Sequence, residues 1–357
     1  VLIGPAADTL VTEPRLVSAG RTGTRQAIIV AARIEPSGVT SRPLSPDTPC
    51  LSHVRFGIVG AGRLGTSLAL ALKTAGAELA GFVCATAAGA ARAAAFLQTD
   101  PSRDLAHLVQ RAPSHYFITV PDGTLPAVAN TVAELLAKRG PASRAADDMA
   151  SPPFVFHTSG ATSAAVLLAV ARTGAACAAF HPLQTFSEPL NGAARFMGAA
   201  VAVTPAPGAA GDAASVEGFA LAQALGARPF LLPDDRRTLY HAAASVAANY
   251  LVTLEHCAQQ LFVAAGMPAD GALALFLPLV RAALDNVGAQ GPVDALTGPL
   301  CRGDLPTISA HLEALAQLAP EYLPLYRRLG LYTLDLVRAR GDVAPDVIDH
   351  LARLLSD

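Results

Sequence analysis

Three glycines, Gly60, Gly62 and Gly65, are spaced G-x-G-x-x-G in the stretch "VGAGRLGTS", with Ala61, Arg63 and Leu64 between them. Glycine suits each place for a different reason. The first allows a tight turn, the second lets the backbone approach a pyrophosphate, and the third allows close helix–strand contact. A helix starting there aims free N–H groups and the positive end of its dipole at the phosphates. These six residues are predicted to seat a dinucleotide. About twenty residues further on, an NAD site usually carries an acid for the ribose hydroxyls. Here that position reads Cys84, Ala85, Thr86, and Arg63 and Arg92 are available to a 2′-phosphate instead. NADP is expected ahead of NAD, with Thr86 beside the ribose and NAD still open.

Two more loops, "TVPDGTL" and "HTSGAT", each close an apolar run. Thr119, Val120, Pro121 and Asp122 in the first, and His157, Ser159 and Gly160 in the second, are candidates for the dinucleotide or its nicotinamide end. Each residue taken singly is equally explained as a turn former or a helix cap.

A second set of polar residues lies further along. "FHPLQTF" puts His181 just past a short apolar run, stiffened by Pro182. "YHAAASVAANY" spaces His241, Ser245 and Asn249 at i, i+4 and i+8, on one face of a helix whose other residues are mostly alanine. Buried without partners, such polar groups would be costly, and a solvated face would ordinarily carry Glu, Lys or Arg, so a cleft is the expectation. Last comes "DALTGPLCRGD", Asp294 to Asp304, where glycines, a proline, a threonine and an arginine interrupt helical sequence. Thr297 and Arg302 are candidates for substrate contact there; the alternative is a structural loop in which Asp304 caps the next helix.

The elements that must carry these residues follow from the apolar periodicity. From Val54 to about Pro233 short apolar runs alternate with helical stretches, the pattern of a Rossmann-type α/β domain with a mostly parallel, doubly wound sheet. After Pro233 the strands stop and an all-α domain follows: about thirty residues of helix to Gly266, a helix from about Ala269 to Val287, then three more beyond the loop. The expected domains are 51–233 and 234–357. Residues 1–50 are expected to form a disordered extension with one strand at 26–32.

The bulk numbers exclude other classes. The 357 residues carry a net charge of −2 and no long basic run, which argues against nucleic acid or an anionic membrane surface as partner. The five cysteines are scattered with no metal spacing, so no metal is expected, and a reduced, cytoplasmic protein fits. No segment reads as a membrane span.

The pieces "GAGRLG", "TVPDGTL", "HTSGA", "FHPLQTF", "YHAAASVAANYLVTL" and "ALTGPLCRGD" together resemble a bacterial family of Rossmann-like oxidoreductases whose second domain carries an unknown-function label. The resemblance runs from about Val54 to His311. The family is similar in architecture to pyrroline-5-carboxylate reductase, prephenate dehydrogenase and ketopantoate reductase, within the superfamily having a C-terminal domain like that of 6-phosphogluconate dehydrogenase. It implies that the long helix and the loop at 294–304 form the substrate half of a cleft facing the nicotinamide. The expected activity is hydride transfer between NADP(H) and a small, anionic carbonyl, imine or hydroxyl compound, in a homodimer formed through the helical domain. His181 or His241 is left as proton donor, because neither lysine, Lys73 nor Lys138, is placed for it. Ser245 and Asn249 would orient the substrate and Arg302 bind its carboxylate. Alternatives are a specific ketopantoate- or pyrroline-5-carboxylate-type reductase, or a dinucleotide-binding sensor without turnover.

Overall fold

Seven strands make one sheet in the order β2-β1-β3-β4-β5-β6-β7. They are β1 (Arg55–Val59), β2 (Glu78–Val83), β3 (His115–Ile118), β4 (Phe154–His157), β5 (Ala176–Pro182), β6 (Ala200–Pro205) and β7 (Arg228–Leu231). The computed structural model describes residues 50–139 and 152–356, so the strand expected at 26–32 lies outside the described residues. β1 to β5 are parallel; β6 runs against β5, and β7 runs parallel to β6.

Both faces of the sheet are covered, which is why its strands read as continuous apolar runs. On one face Phe56, Ile58, Phe117, Phe156 and Phe180 pack under α1 (Arg63–Thr74). The three central phenylalanines sit ring to ring, Phe117–Phe156 at 5.4 Å and Phe156–Phe180 at 6.0 Å. α2 (Ala87–Leu97) and α3 (Leu105–Gln110) follow β2. On the other face Tyr116, Ile118, Val155 and Cys177 meet α4 (Leu125–Arg139) and the short α5 (Leu168–Ala171) through Ala129, Val132 and Val170. α6 (Pro189–Ala194) returns the chain to β6, and α7 (Ala209–Ala224) joins β6 to β7.

Helices then take over. α8 (Arg237–Ala244) passes through a π-helical turn, Ser245–Asn249, into α9 (Tyr250–Ala264). α10 (Ala272–Ala295) is broken at Gly291, whose φ of 78° is left-handed, so the regular helix ends beyond the expected Val287. α11 (Leu305–Leu318), α12 (Leu323–Arg340) and α13 (Pro345–Ser356) enclose their own core of Ile308, Leu312, Leu334, Val337 and Leu351. In contrast, α9 buries no residue and α10 only Ala272 and Phe276, while Val252 is 71% and Leu279 66% exposed.

Among the described residues one stretch, Ala272–Arg302, holds an 18-residue window of mean hydropathy 1.4, long and apolar enough to cross a membrane by length and composition alone. It carries Arg281, Asp285 and Pro278 and is broken at Gly291, the charge and turn signals expected from the sequence.

Candidate functional site

The glycine turn shows three different environments for its three glycines. Gly60 has φ 97°, and a Cβ there would sit 2.7 Å from Val120. At Gly65 a Cβ would meet Thr119 Oγ1 at 2.4 Å and the Gly60 carbonyl at 2.6 Å, so only glycine lets α1 lie this close to β1 and β3. Thr119 reinforces the turn by donating its hydroxyl to the Gly60 carbonyl over 2.6 Å. Gly62 differs: it stands before α1 as the N-cap, and the nearest atom to a Cβ is 3.9 Å away. Among the described residues nothing crowds a side chain at Gly62, so its open side is free space at the helix start.

That open side faces a pocket of about 1060 Å³, lined by Gly60, Ala61, Gly62 and Arg63 and by Thr119, Val120 and Pro121 at the end of β3. Cys84 and Thr86 line it from the end of β2; Thr86 also caps α2 by accepting from Gly89 N. Three arginines, Arg63, Arg92 and Arg103, reach the same pocket. So does the carboxylate of Asp104, but it is engaged in capping α3, accepting from His107 N at 2.7 Å. Arg103 was not foreseen, because it lies beyond α2 and returns to the pocket only through the fold.

A second cavity of about 440 Å³ opens beyond β5, between residues 183–185 and the α8–π–α9 helix. The segment after β5 walls both spaces, with Leu183, Gln184 and Thr185 on this one and Ser187 and Pro189 on the dinucleotide-sized one. His181, His241, Ser245 and Asn249 all line the smaller cavity, so the four residues expected in a cleft come together. The two histidine rings are 5.9 Å apart and edge-to-face. His181 Nε2 and His241 Nδ1 both point at Gly160, at 2.7 and 2.5 Å from where a Cβ would be, so Gly160 is bare to admit the two imidazoles. His241 Nδ1 is buried and has no hydrogen-bond partner in the protein. Ser245 Oγ donates to the His241 carbonyl at 3.1 Å.

Two residues not foreseen complete the arrangement. The Tyr240 hydroxyl is 3.1 Å from His181 Nδ1 and lies in the cavity wall. Burial raises its pKa to about 12, opposed by the charge of Arg237, so it stays protonated at neutral pH. Arg237 is fully buried and donates from Nε to the Thr162 carbonyl, from Nη1 to Thr204 Oγ1 and from Nη2 to the Ser159 carbonyl. It thereby ties the loop carrying Gly160 to β6 and to the start of α8. Burial works against its charge, and Asp234 leads the groups that support it. Burial and then Arg237 depress the pKa of His181 to about 4 and that of His157 to about 3, so both imidazoles are neutral at physiological pH. His157 closes β4 wholly inside the protein, with neither ring nitrogen hydrogen-bonded.

Other expected residues are placed elsewhere. Leu64 turns into the core beneath α1, and Asp122 is exposed on a short 3₁₀ turn outside the walls of both cavities. Ser159 is a loop brace, accepting from Thr162 N and, through its carbonyl, from Arg237. Thr297 and Arg302 are exposed and line neither cavity of this chain. Their loop is held by Arg340 of α12, which donates to the Leu296 carbonyl, and by Leu300 and Cys301 packed on the α11–α13 core. Asp304 caps α11 through Thr307 N and Thr307 Oγ1, and these hydrogen bonds hold its carboxyl below the usual range. Among the described residues no group of three or more His, Cys, Asp or Glu side chains could hold a metal ion.

Two family models match the chain. Residues 45–182 match the Rossmann-like domain family, and residues 209–333 match a domain of unknown function, DUF2520. The chain joins a Rossmann-like domain to a DUF2520 domain. No curated protein matches it. Among solved structures, BF3122 of Bacteroides fragilis, described as a candidate NADP oxidoreductase, superposes with a TM-score of 0.57 at 22% identity, covering 82% of this chain and all (100%) of that one. TM1727 of Thermotoga maritima gives 0.54 at 18% identity over 85% of this chain and 100% of its own. A 1-pyrroline-5-carboxylate reductase from Streptococcus pyogenes gives 0.52 at 16% identity over 84% and 98%. At these identities the likeness is one of fold.

Proposed function

We propose that the protein is an NADP(H)-dependent oxidoreductase acting on a small carbonyl, imine or hydroxyl compound. The observation that carries this is the bare face of Gly62, which opens on a dinucleotide-sized pocket at the same end of the parallel strands as the His181–Tyr240–His241 cavity. The cofactor, when bound, supplies or accepts a hydride at its nicotinamide. The α1 N-terminus and Gly60–Gly62 hold the pyrophosphate, with Arg63, Arg92 and Arg103 around the 2′-phosphate. These three arginines face a single acidic residue among the pocket's lining, Asp104, whose Oδ1 caps α3, so the surround favours the added phosphate.

At the reacting carbon a negative charge develops on oxygen or nitrogen and must be met by a proton. Tyr240 is the proton donor in this reading. His181, neutral, donates from Nδ1 to the phenol oxygen and stabilises the phenolate as the proton leaves, helped by the buried charge of Arg237. His241 and Asn249, both in the cavity wall, hold the substrate. The reading includes a cytoplasmic homodimer: the cysteines are free, and the bare apolar faces of α9 and α10 are what a second copy would cover.

Titrating NADPH and NADH into the purified protein and following NADPH oxidation with aldehydes, ketones, cyclic imines and keto acids tests the reading. NADPH is expected to bind at least about tenfold tighter, in keeping with one charge-assisted contact to the extra phosphate. Tyr240→Phe should lower kcat about a hundredfold or more, the usual contribution of a positioned acid, with NADPH affinity unchanged. Tight NADPH binding without turnover of any compound would leave a dinucleotide sensor instead.

A further inference from the structure

We propose that the cavity beside His181 takes an uncharged ketone or imine on an apolar body and discriminates against substrates that carry a carboxylate. The inference rests on the functional reading above and names its substrate class. It departs from the anionic substrate that the loop at 294–304 had suggested.

The walls are the first ground. Leu183, Ala243, Ala244, Ala247 and Ala248 line the cavity, and no Lys, Arg, Asp or Glu is among its lining residues within the described part of the chain. At Gly160 the two histidines meet, with Tyr240 bonded to His181; the other polar lining residues, Gln184, Thr185, Ser245 and Asn249, are all uncharged. Of these, the Ser245 hydroxyl is already committed to a backbone carbonyl. A histidine–tyrosine cluster, an alanine wall and no charged lining residue match an uncharged molecule with an apolar body.

The cations nearby do not alter this. Arg237 is 0% exposed, and all three of its nitrogens donate to protein acceptors, so it lends a field and offers no hand to a ligand. Arg302 is exposed on a loop held to α12 and lines no part of the cavity. His181 is kept neutral by burial and by Arg237. A carboxylate drawn against these walls would give up water on that side and meet no fixed cation in return, whereas an uncharged group loses little there. An uncharged carbonyl or imine needs only one donor, and Tyr240 is one.

The test uses the full chain saturated with NADP+ at pH 8, above the range in which histidine ordinarily carries charge. Binding of cyclohexanone, of 4-oxocyclohexanecarboxylate and of its methyl ester is measured by calorimetry. The ester controls for size. The ketone and the ester should bind, the free acid about tenfold or more weaker than the ester. Ala248→Arg, which puts a cation in the wall, should remove that gap, and circular dichroism checks that the variant is folded; if it is not, the wild-type comparison alone decides. Acid binding as tight as ester binding overturns the proposal, because a cation would then have reached the cavity, as from a second copy of the chain. Binding of none of the three overturns it as well. Ester binding with the expected gap, but no NADPH oxidation with any ketone or imine, leaves the cavity's preference standing and removes the oxidoreductase reading.

Discussion

Gly62 and Gly65 are three residues apart, yet a side chain would meet opposite fates at each. At Gly62 it would extend into the pocket; at Gly65 it would collide with Thr119 and with backbone. Gly62→Val is expected to leave the urea midpoint nearly unchanged and abolish NADPH binding, whereas Gly65→Val should cost on the order of 1–3 kcal/mol of stability. Normal NADPH binding by Gly62→Val would move the cofactor elsewhere. His157 makes a different kind of residue-scale statement. Folded, its pKa is depressed to about 3; in the unfolded chain it takes a proton near the ordinary value of about 6.5. Below that pH the unfolded chain binds more protons, so the stability His157 contributes is complete above about 6.5 and is lost as pH falls towards 3. His181, depressed to about 4, acts in the same direction. Urea titrations at pH 6.5 and 4.5 should show His157→Leu losing less stability than the wild type, by about 1–3 kcal/mol. Equal losses would show that His157 is not the group responsible.

Among the elements, the loop between α10 and α11 is held in shape by Gly303. Its φ is 67°, and a Cβ would press on Val347 at 3.0 Å and Val343 at 3.1 Å. Gly303→Val should therefore lower stability by about 1–3 kcal/mol, while Arg302→Ala, at an exposed residue, should change it by less than about 0.5 kcal/mol. A large loss from Arg302→Ala would mean that its side chain braces the loop. This loop shows where sequence reading stops. Its glycines and proline mark an unusual backbone in the sequence itself, but that backbone serves packing on α12 and α13, and only the fold says which way Arg302 faces. The strands were legible because burial on both faces leaves runs such as "HYFI" and "FVFH" with no polar break. His181, His241, Ser245 and Asn249 were legible because polar groups among alanines are conspicuous. Tyr240 was not, since its partner His181 is 59 residues away in the chain. Arg237, one of 26 basic residues, is distinguished only by being buried.

For the whole molecule, α9 and α10 pose the question of what covers them. Leu275, Leu279, Val246 and Val252 are each at least 60% exposed, and helices this bare are marginal on their own in water. A homodimer through these faces predicts a two-chain mass by sedimentation at micromolar concentration. Leu279→Asp or Val252→Asp should shift the protein to monomer and lower its Tm, because each sets a charge in a covered apolar contact. A monomeric wild type would rule this pairing out. The helix leading into these faces contains the π-helical turn Ser245–Asn249, at the cavity wall. Such a turn is equivalent to one residue inserted into an α-helix. Losing one codon within it would restore an ordinary helix and narrow the wall beside Ser245, while the helix from Tyr250 onward would keep its facing, because the bulge absorbs its extra residue locally. Cavity shape and chain pairing are thus separable. A lineage could trim the pocket by deletion here and leave the surface through which its chains would meet aimed as before.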